Sequence, residues 1–166
     1  MSKIRVLNIV AGRGGTFFAA NNLVKEINRY STEFESLLLE NQKVGLKKYI
    51  SKLVTVFQQI TAADKYEFHS ANSVSTLSML DVERYSPDLI HIHNWYNLLN
   101  IEMIQLILLK YPTVFTLHDE RLLTGGCHMS FGCWNFLDGC NSCPAERFIH
   151  GQTKKSKQKL QSILET

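Results

Sequence analysis

The sequence predicts an α/β fold built on a doubly wound, mainly parallel sheet, and three observations predict it. Short β-branched and aliphatic runs alternate with segments whose apolar residues recur at helical spacing. A glycine-rich stretch joins the first such run to the first helical segment. The later runs end in histidine, asparagine or aspartate, at the place where strands of open parallel sheets meet their ligands.

Residues 3–11 are the first strand, and they run into the tight turn Gly12-Arg13-Gly14-Gly15. From Thr16 the period changes. Phe17, Ala20, Val24 and Ile27 share one helical face, and Thr16 is placed to cap the helix start. Residues 33–40 read as a second strand, which completes a strand–helix–strand unit. Residues 43–60 have an amphipathic pattern, with Leu46, Ile50, Leu53 and Phe57 on one face and Lys43, Lys47 and Lys52 around it. Residues 61–80 are polar and carry no clear period. After Pro87, the run Asp88 to His93 is a short buried strand. A helix over about residues 100–110 is stopped by Pro112, and Thr113 to His118 is a further strand.

Composition narrows the function. The chain has 166 residues, 45% hydrophobic and 20% charged, with a formal net charge of +3. That suits one domain with a real core. The charge is too small to argue for nucleic acid, and the basic clusters lack interleaved aromatics, so no nucleic-acid partner is expected. The second cluster, Lys154, Lys155, Lys157 and Lys159, reads as a solvated helix face. The apolar N-terminal stretch is broken by Arg5 and Asn8, and residues 101–109 have about half the length of a membrane span. A cytoplasmic protein with reduced cysteines is expected.

Three candidate binding segments lie at strand ends. Gly12, Gly14, Gly15 and Thr16 could bring backbone N–H groups to a phosphate, although the pattern is no Walker loop and Phe17 replaces the third glycine of a dinucleotide fingerprint. A tight turn accounts for the same glycines equally well. His93 and Asn94 close one strand. Alternation puts His91 on the same face as His93, where it reads as a hydrogen-bonded core histidine. His118 and Asp119 close the next, a pair able to bind sugar hydroxyls or move a proton.

Cys127, Cys133, Cys140 and Cys143 follow in a glycine-rich loop, residues 125–144, as C-x5-C-x6-C-x2-C. Four thiolates can close a tetrahedral structural zinc site, with His128 able to replace one of them. Two disulfides and free thiols are the alternatives, and the spacing fits neither common ferredoxin pattern.

Taken together, Asp88-Leu89-Ile90-His91-Ile92-His93, Thr116-Leu117-His118-Asp119, Thr124-Gly125-Gly126-Cys127-His128 and Cys140-Asn141-Ser142-Cys143-Pro144 resemble the N-terminal domain of family 4 glycosyltransferases. The branch they resemble builds bacterial surface polysaccharides and carries TLHD, TGGCH and C-x2-C-P motifs. The likeness is specific over about residues 85–145 and looser over 3–30.

The resemblance implies a Rossmann-like domain on the acceptor side of a two-domain GT-B enzyme. Such an enzyme transfers a sugar from a nucleotide-sugar donor to a glycan or lipid-linked acceptor, with retention and without a catalytic metal. It implies that His118 contacts the transferred sugar near the reacting carbon, that Gly14 and Gly15 approach donor phosphates or acceptor, and that zinc would brace the loop after His118. Residues 1–166 are then an incomplete domain, inactive by itself. A C-terminal nucleotide-sugar-binding domain would act in cis or in trans, and the cut sheet would offer an exposed edge. Residues 43–60 could touch the inner face of a membrane, although an ordinary helix covering the sheet accounts better for the same pattern. The competing expectation is a non-catalytic, zinc-stapled α/β module that docks a protein.

Overall fold

The computed structural model describes residues 2–11, 14–40, 49–50, 53, 56, 75–96, 98–146 and 152–165. They belong to two compact units, one of residues 1–44 and 75–118, the other of residues 45–74 and 119–166.

The first unit is an α/β structure with a four-stranded parallel sheet. Its strands are β1 (Ile4–Val10), β2 (Phe34–Glu40), β3 (Leu89–Asn94) and β4 (Thr113–Phe115), in the order β2-β1-β3-β4. Helix α1 (Gly15–Tyr30) links β1 to β2, the short α2 (Met79–Glu83) precedes β3, and α3 (Ile101–Lys110) links β3 to β4. The order reverses direction at β1, so the carboxyl ends of β1 and β3 lie side by side with their connections leaving opposite ways. Ligands of open α/β sheets bind at such a place.

The two central strands carry the core. Leu7, Ile9, Val10 and Ile90 are fully enclosed, each contributing roughly 1.5–3 kcal/mol of hydrophobic stabilisation. Helix α3 buries Ile101, Met103, Ile104 and Ile107. The Asn100 side chain accepts a hydrogen bond from Met103 N at 2.9 Å and so fixes its start. Tyr111, before Pro112, is extended and ends it.

Two expectations change, and a third falls mostly outside the described residues. Helix α1 is capped by Gly14, with φ 141°, and Thr16 lies within its first turn. That φ is available to glycine and strains an L side chain, so the turn geometry overrides the capping preference of threonine. The last strand ends at Phe115. Thr116 N still bonds Ile92 O at 3.0 Å, but Leu117 and His118 leave the sheet. Beyond Ile92 the neighbouring strand β3 itself bulges, and the pairing surface is lost. The amphipathic segment 43–60 lies mostly outside the described residues. Of it, Tyr49, Ile50, Leu53 and Val56 are described, and all are exposed. Among the described residues no helix is long and apolar enough to cross a membrane.

Helix α1 is clamped to β2 by one side chain. Asn28 Nδ2 donates to Ser36 O, and Asn28 Oδ1 accepts from Ser36 N, both at 2.7 Å. The amide therefore satisfies the backbone of Ser36 on the side turned away from β1.

In the second unit, α4 (Gln152–Leu164) buries Thr153, Ser156, Leu160 and Ile163, which recur at helical spacing. Lys154, Lys155 and Lys159 are exposed around it, as expected of a solvated face. Glu146 Oε1 accepts from Thr153 N at 2.6 Å and from Thr153 Oγ1 at 2.7 Å, placing a carboxylate at the positive end of the helix.

Replacing Asn28 by Ala should destabilise the chain by about 1–3 kcal/mol, because both Ser36 groups lose their partner. Urea unfolding checks this through a lower midpoint at unchanged slope. Leu109→Ala, at an 81% exposed position, should move stability by less than about 0.5 kcal/mol.

Candidate functional site

The site-forming residues of the first unit gather at the carboxyl ends of the strands, around one buried polar residue. Asn8 sits in the middle of β1, fully enclosed. Its Nδ2 donates to Ser36 Oγ at 2.8 Å and Leu37 O at 3.1 Å, with Val6 O at 3.4 Å. Its Oδ1 lies 3.1 Å from His93 Nε2.

His93 reaches Asn8 because β3 bulges there. Ile9 pairs with Ile92, yet Val10 pairs with Asn94, so His93 is the extra residue opposite β1. A bulge re-aims the side chain that it carries. His93 is buried, and its Nδ1 lies 3.4 Å from Nε2 of His118, whose residue is exposed. The His91 and His93 rings lie against each other, centroids 3.9 Å apart and planes tilted by 34°, and His91 Nε2 lies 2.7 Å from Thr116 Oγ1. The expected shared face of His91 and His93 is therefore real, and His118 joins it from past the end of β4.

Burial, with the neighbouring His91 and His118 adding to it, lowers His93 to about 4. His91 is lowered as well, by burial first and His118 second. Both rings are neutral at physiological pH.

The other predicted residues of this unit have identifiable places. Asn94 O accepts from Ala11 N at 3.0 Å, tying together the carboxyl ends of β3 and β1. Asn94 Oδ1 accepts from Tyr96 N at 3.0 Å. Gly12 lies outside the described residues. Gly14 is needed for its backbone angle, whereas Gly15 is in the helix and a Cβ there would meet nothing within 4 Å. The fold alone thus explains the first glycine and leaves the second unexplained. Thr16 is partly buried.

Asp119 belongs to the second unit, where Arg121 occupies both its oxygens. Arg121 N donates to Oδ1 at 2.9 Å, and the buried guanidinium donates to Oδ2. His128 Nδ1 lies 3.1 Å from Arg121 Nη1 and 3.5 Å from Asp119 Oδ2. A guanidinium only donates, so His128 Nδ1 accepts there and joins this pair.

The four cysteines are free of disulfides and close enough to influence one another's charge. The Cys127 thiol hydrogen-bonds to Cys143, which lowers Cys143 to about 6 and pushes Cys127 far up. Thr153 and the Ala145 backbone also lower Cys143. Burial raises Cys140, against a backbone hydrogen bond from Gly125. A Cβ on Gly125 would stand 2.3 Å from Thr153 O, so only glycine fits between the cysteine loop and α4. Among the described residues no three His, Cys, Asp or Glu side chains are set as a metal's ligand shell. The donor chemistry suits zinc, with the Cys143 thiol lowered toward its ionised form.

No protein-family model, no curated protein and no solved structure matches the chain.

Sequence reasoning missed Asn8 and Ser36. The available signal was a single amide inside an otherwise aliphatic strand, since such a group must find partners when buried.

The histidine pair sets a pH dependence. An unfolded histidine titrates near 6.5, and His93 in the fold near 4. Between these values the unfolded chain binds more protons, so stability is full above pH 6.5 and declines as pH falls toward 4. Thermal melts across this range should show a falling midpoint. His93→Gln should flatten that slope; an equal slope in the variant would count against the assignment.

Proposed function

We propose that the chain is the acceptor-side domain of a glycosyltransferase, Rossmann-like and doubly wound, using His118 to contact the transferred sugar. The observation that carries this reading is the placement of His118. An exposed imidazole stands past the end of a parallel strand, braced from behind by a buried histidine 3.4 Å away. Ligands of parallel sheets bind at these ends. The TLHD, TGGCH and C-x2-C-P segments supply the likeness to family 4 enzymes, and the open position at Gly15 leaves room for a ligand to approach backbone N–H groups.

In this role, the ring of His118 hydrogen-bonds a hydroxyl of the sugar, and Asn94 holds the β1 and β3 ends in register beside the site. The nucleotide-sugar is the donor, and a partner domain, in cis or in trans, would hold its nucleotide. A glycan or a lipid-linked sugar is the acceptor. Structural zinc on Cys127, Cys133, Cys140 and Cys143 would stiffen the loop and supply no chemistry to the transfer.

A second reading has its own support. Met129, Phe131, Trp134 and Leu137, all in the cysteine-rich segment, are exposed, Trp134 at 71%. Apolar and aromatic side chains held out in this way mark interaction surfaces, and a protein-docking module would use them.

Ligand-observed NMR with hexose-containing glycans and nucleotide-sugars tests the first reading. Binding should be detectable and should weaken about tenfold in His118→Ala, the loss of one hydrogen bond worth roughly 1.4 kcal/mol. Unchanged binding in the variant would exclude His118 from the site. For the zinc, elemental analysis of protein purified without chelator should give about one metal per chain with four protected thiols. Four freely reacting thiols and no metal would remove it.

A further inference from the structure

The hydrogen-bond chain behind His118 has a direction, because its inner end is anchored to groups that can only accept. Asn8 Nδ2 faces two backbone carbonyls, Leu37 O at 3.1 Å and Val6 O at 3.4 Å. Carbonyl oxygens donate nothing, so the amide has to present its NH2 to them and its oxygen to His93. His93 Nε2, 3.1 Å from that oxygen, must then carry a proton. The ring is neutral at pH 7, held down to about 4 by burial, and a neutral imidazole has one N–H. His93 Nδ1 is therefore a bare acceptor, and the partner facing it, His118 Nε2 at 3.4 Å, is the donor.

We propose that Asn8 and His93 are positioning residues that fix the proton of His118 on Nε2, leaving Nδ1 as the acceptor on the ring edge away from His93. The amide buried in β1 thus sets the hydrogen-bonding character of an exposed imidazole two strands away. The bulge at His93 is the structural means, since it turns that ring between Asn8 and His118. His91 takes no part in the direction of the chain. Its Nε2 is engaged by the Thr116 hydroxyl at 2.7 Å, a group able to donate or to accept.

The consequence for substrate chemistry rests on the glycosyltransferase reading. With Nδ1 bare, the His118 ring accepts from a ligand O–H or N–H and offers nothing at that edge to an oxygen that can only accept. The group placed against His118 is then a sugar hydroxyl, not a carboxylate or a phosphoryl oxygen. His93 and Asn8 would influence this selection without touching the sugar.

A long-range proton–nitrogen correlation spectrum of the 15N-labelled full chain at pH 7.5 reads the tautomer of each histidine and needs no substrate. The expected result is a single Nε2–H tautomer for both His93 and His118. The urea-unfolded chain provides the reference for a freely exchanging mixture. In His93→Phe, His118 should lose its single tautomer and move to the reference mixture. A wild-type His118 protonated on Nδ1, or a single Nε2–H form that persists in His93→Phe, would overturn the proposal.

If the tautomers are as stated while no sugar binds, the enzymatic reading fails and the positioning chain stands. If sugars bind through a His118 protonated on Nδ1, the reverse holds.

Discussion

A primary amide enclosed in the centre of a sheet has four hydrogen-bonding positions to satisfy, and no water to satisfy them. Asn8 is in that situation. Leaving its groups unmet would cost roughly 1–3 kcal/mol apiece, a large fraction of the stability of a small domain. The surrounding structure is arranged around that demand. Ser36 turns its hydroxyl inward from β2, the carbonyls of Val6 and Leu37 accept, and β3 takes in an extra residue so that His93 can close the set. The position of His93 in turn determines what lies behind His118. A requirement for hydrogen-bond satisfaction in the core is thereby carried through His93 to an exposed imidazole.

Much of this fold was legible in the sequence, and the legible parts share a cause. The aliphatic runs of β1 and β3, the period of α1 and the stop before Pro112 are local patterns, each produced by neighbours a few residues apart. The parallel sheet follows from their alternation. Failures arose where distant residues decide. Nothing near Asn8 announces a partner 85 positions away. The length of β4 depends on what β3 offers it, so Leu117 and His118 read as strand and yet lie outside the ladder. Thr16 has the right chemistry for a cap, but the backbone angle at Gly14 takes that role two residues earlier.

The candidate site was legible unevenly for the same reason. His93, Asn94 and His118 occur at strand ends, and strand ends are readable from composition. Their coupling was not, because it depends on a bulge. Asp119 shared a motif with His118 in the sequence, yet each of its carboxylate oxygens is bonded by Arg121, through its backbone N–H and its guanidinium. Adjacent residues in a motif can thus answer to different neighbours. The cysteines pose the inverse case. Their spacing advertised a common purpose, and the thiols do perturb one another.

The clasp between Asn28 and Ser36 bears on how molecules of this protein meet. A sheet grows from copy to copy into an open fibre when each copy can offer one border and accept another. Among the described residues β2 is an outer strand, and that border is interrupted at its midpoint by a side chain of the molecule's own helix, bonded at 2.7 Å on both counts. A strand arriving there would have to displace the amide before gaining any bond of its own. Growth by repeated addition is opposed at one end, so pairing through the opposite border would terminate in a finite assembly rather than propagate.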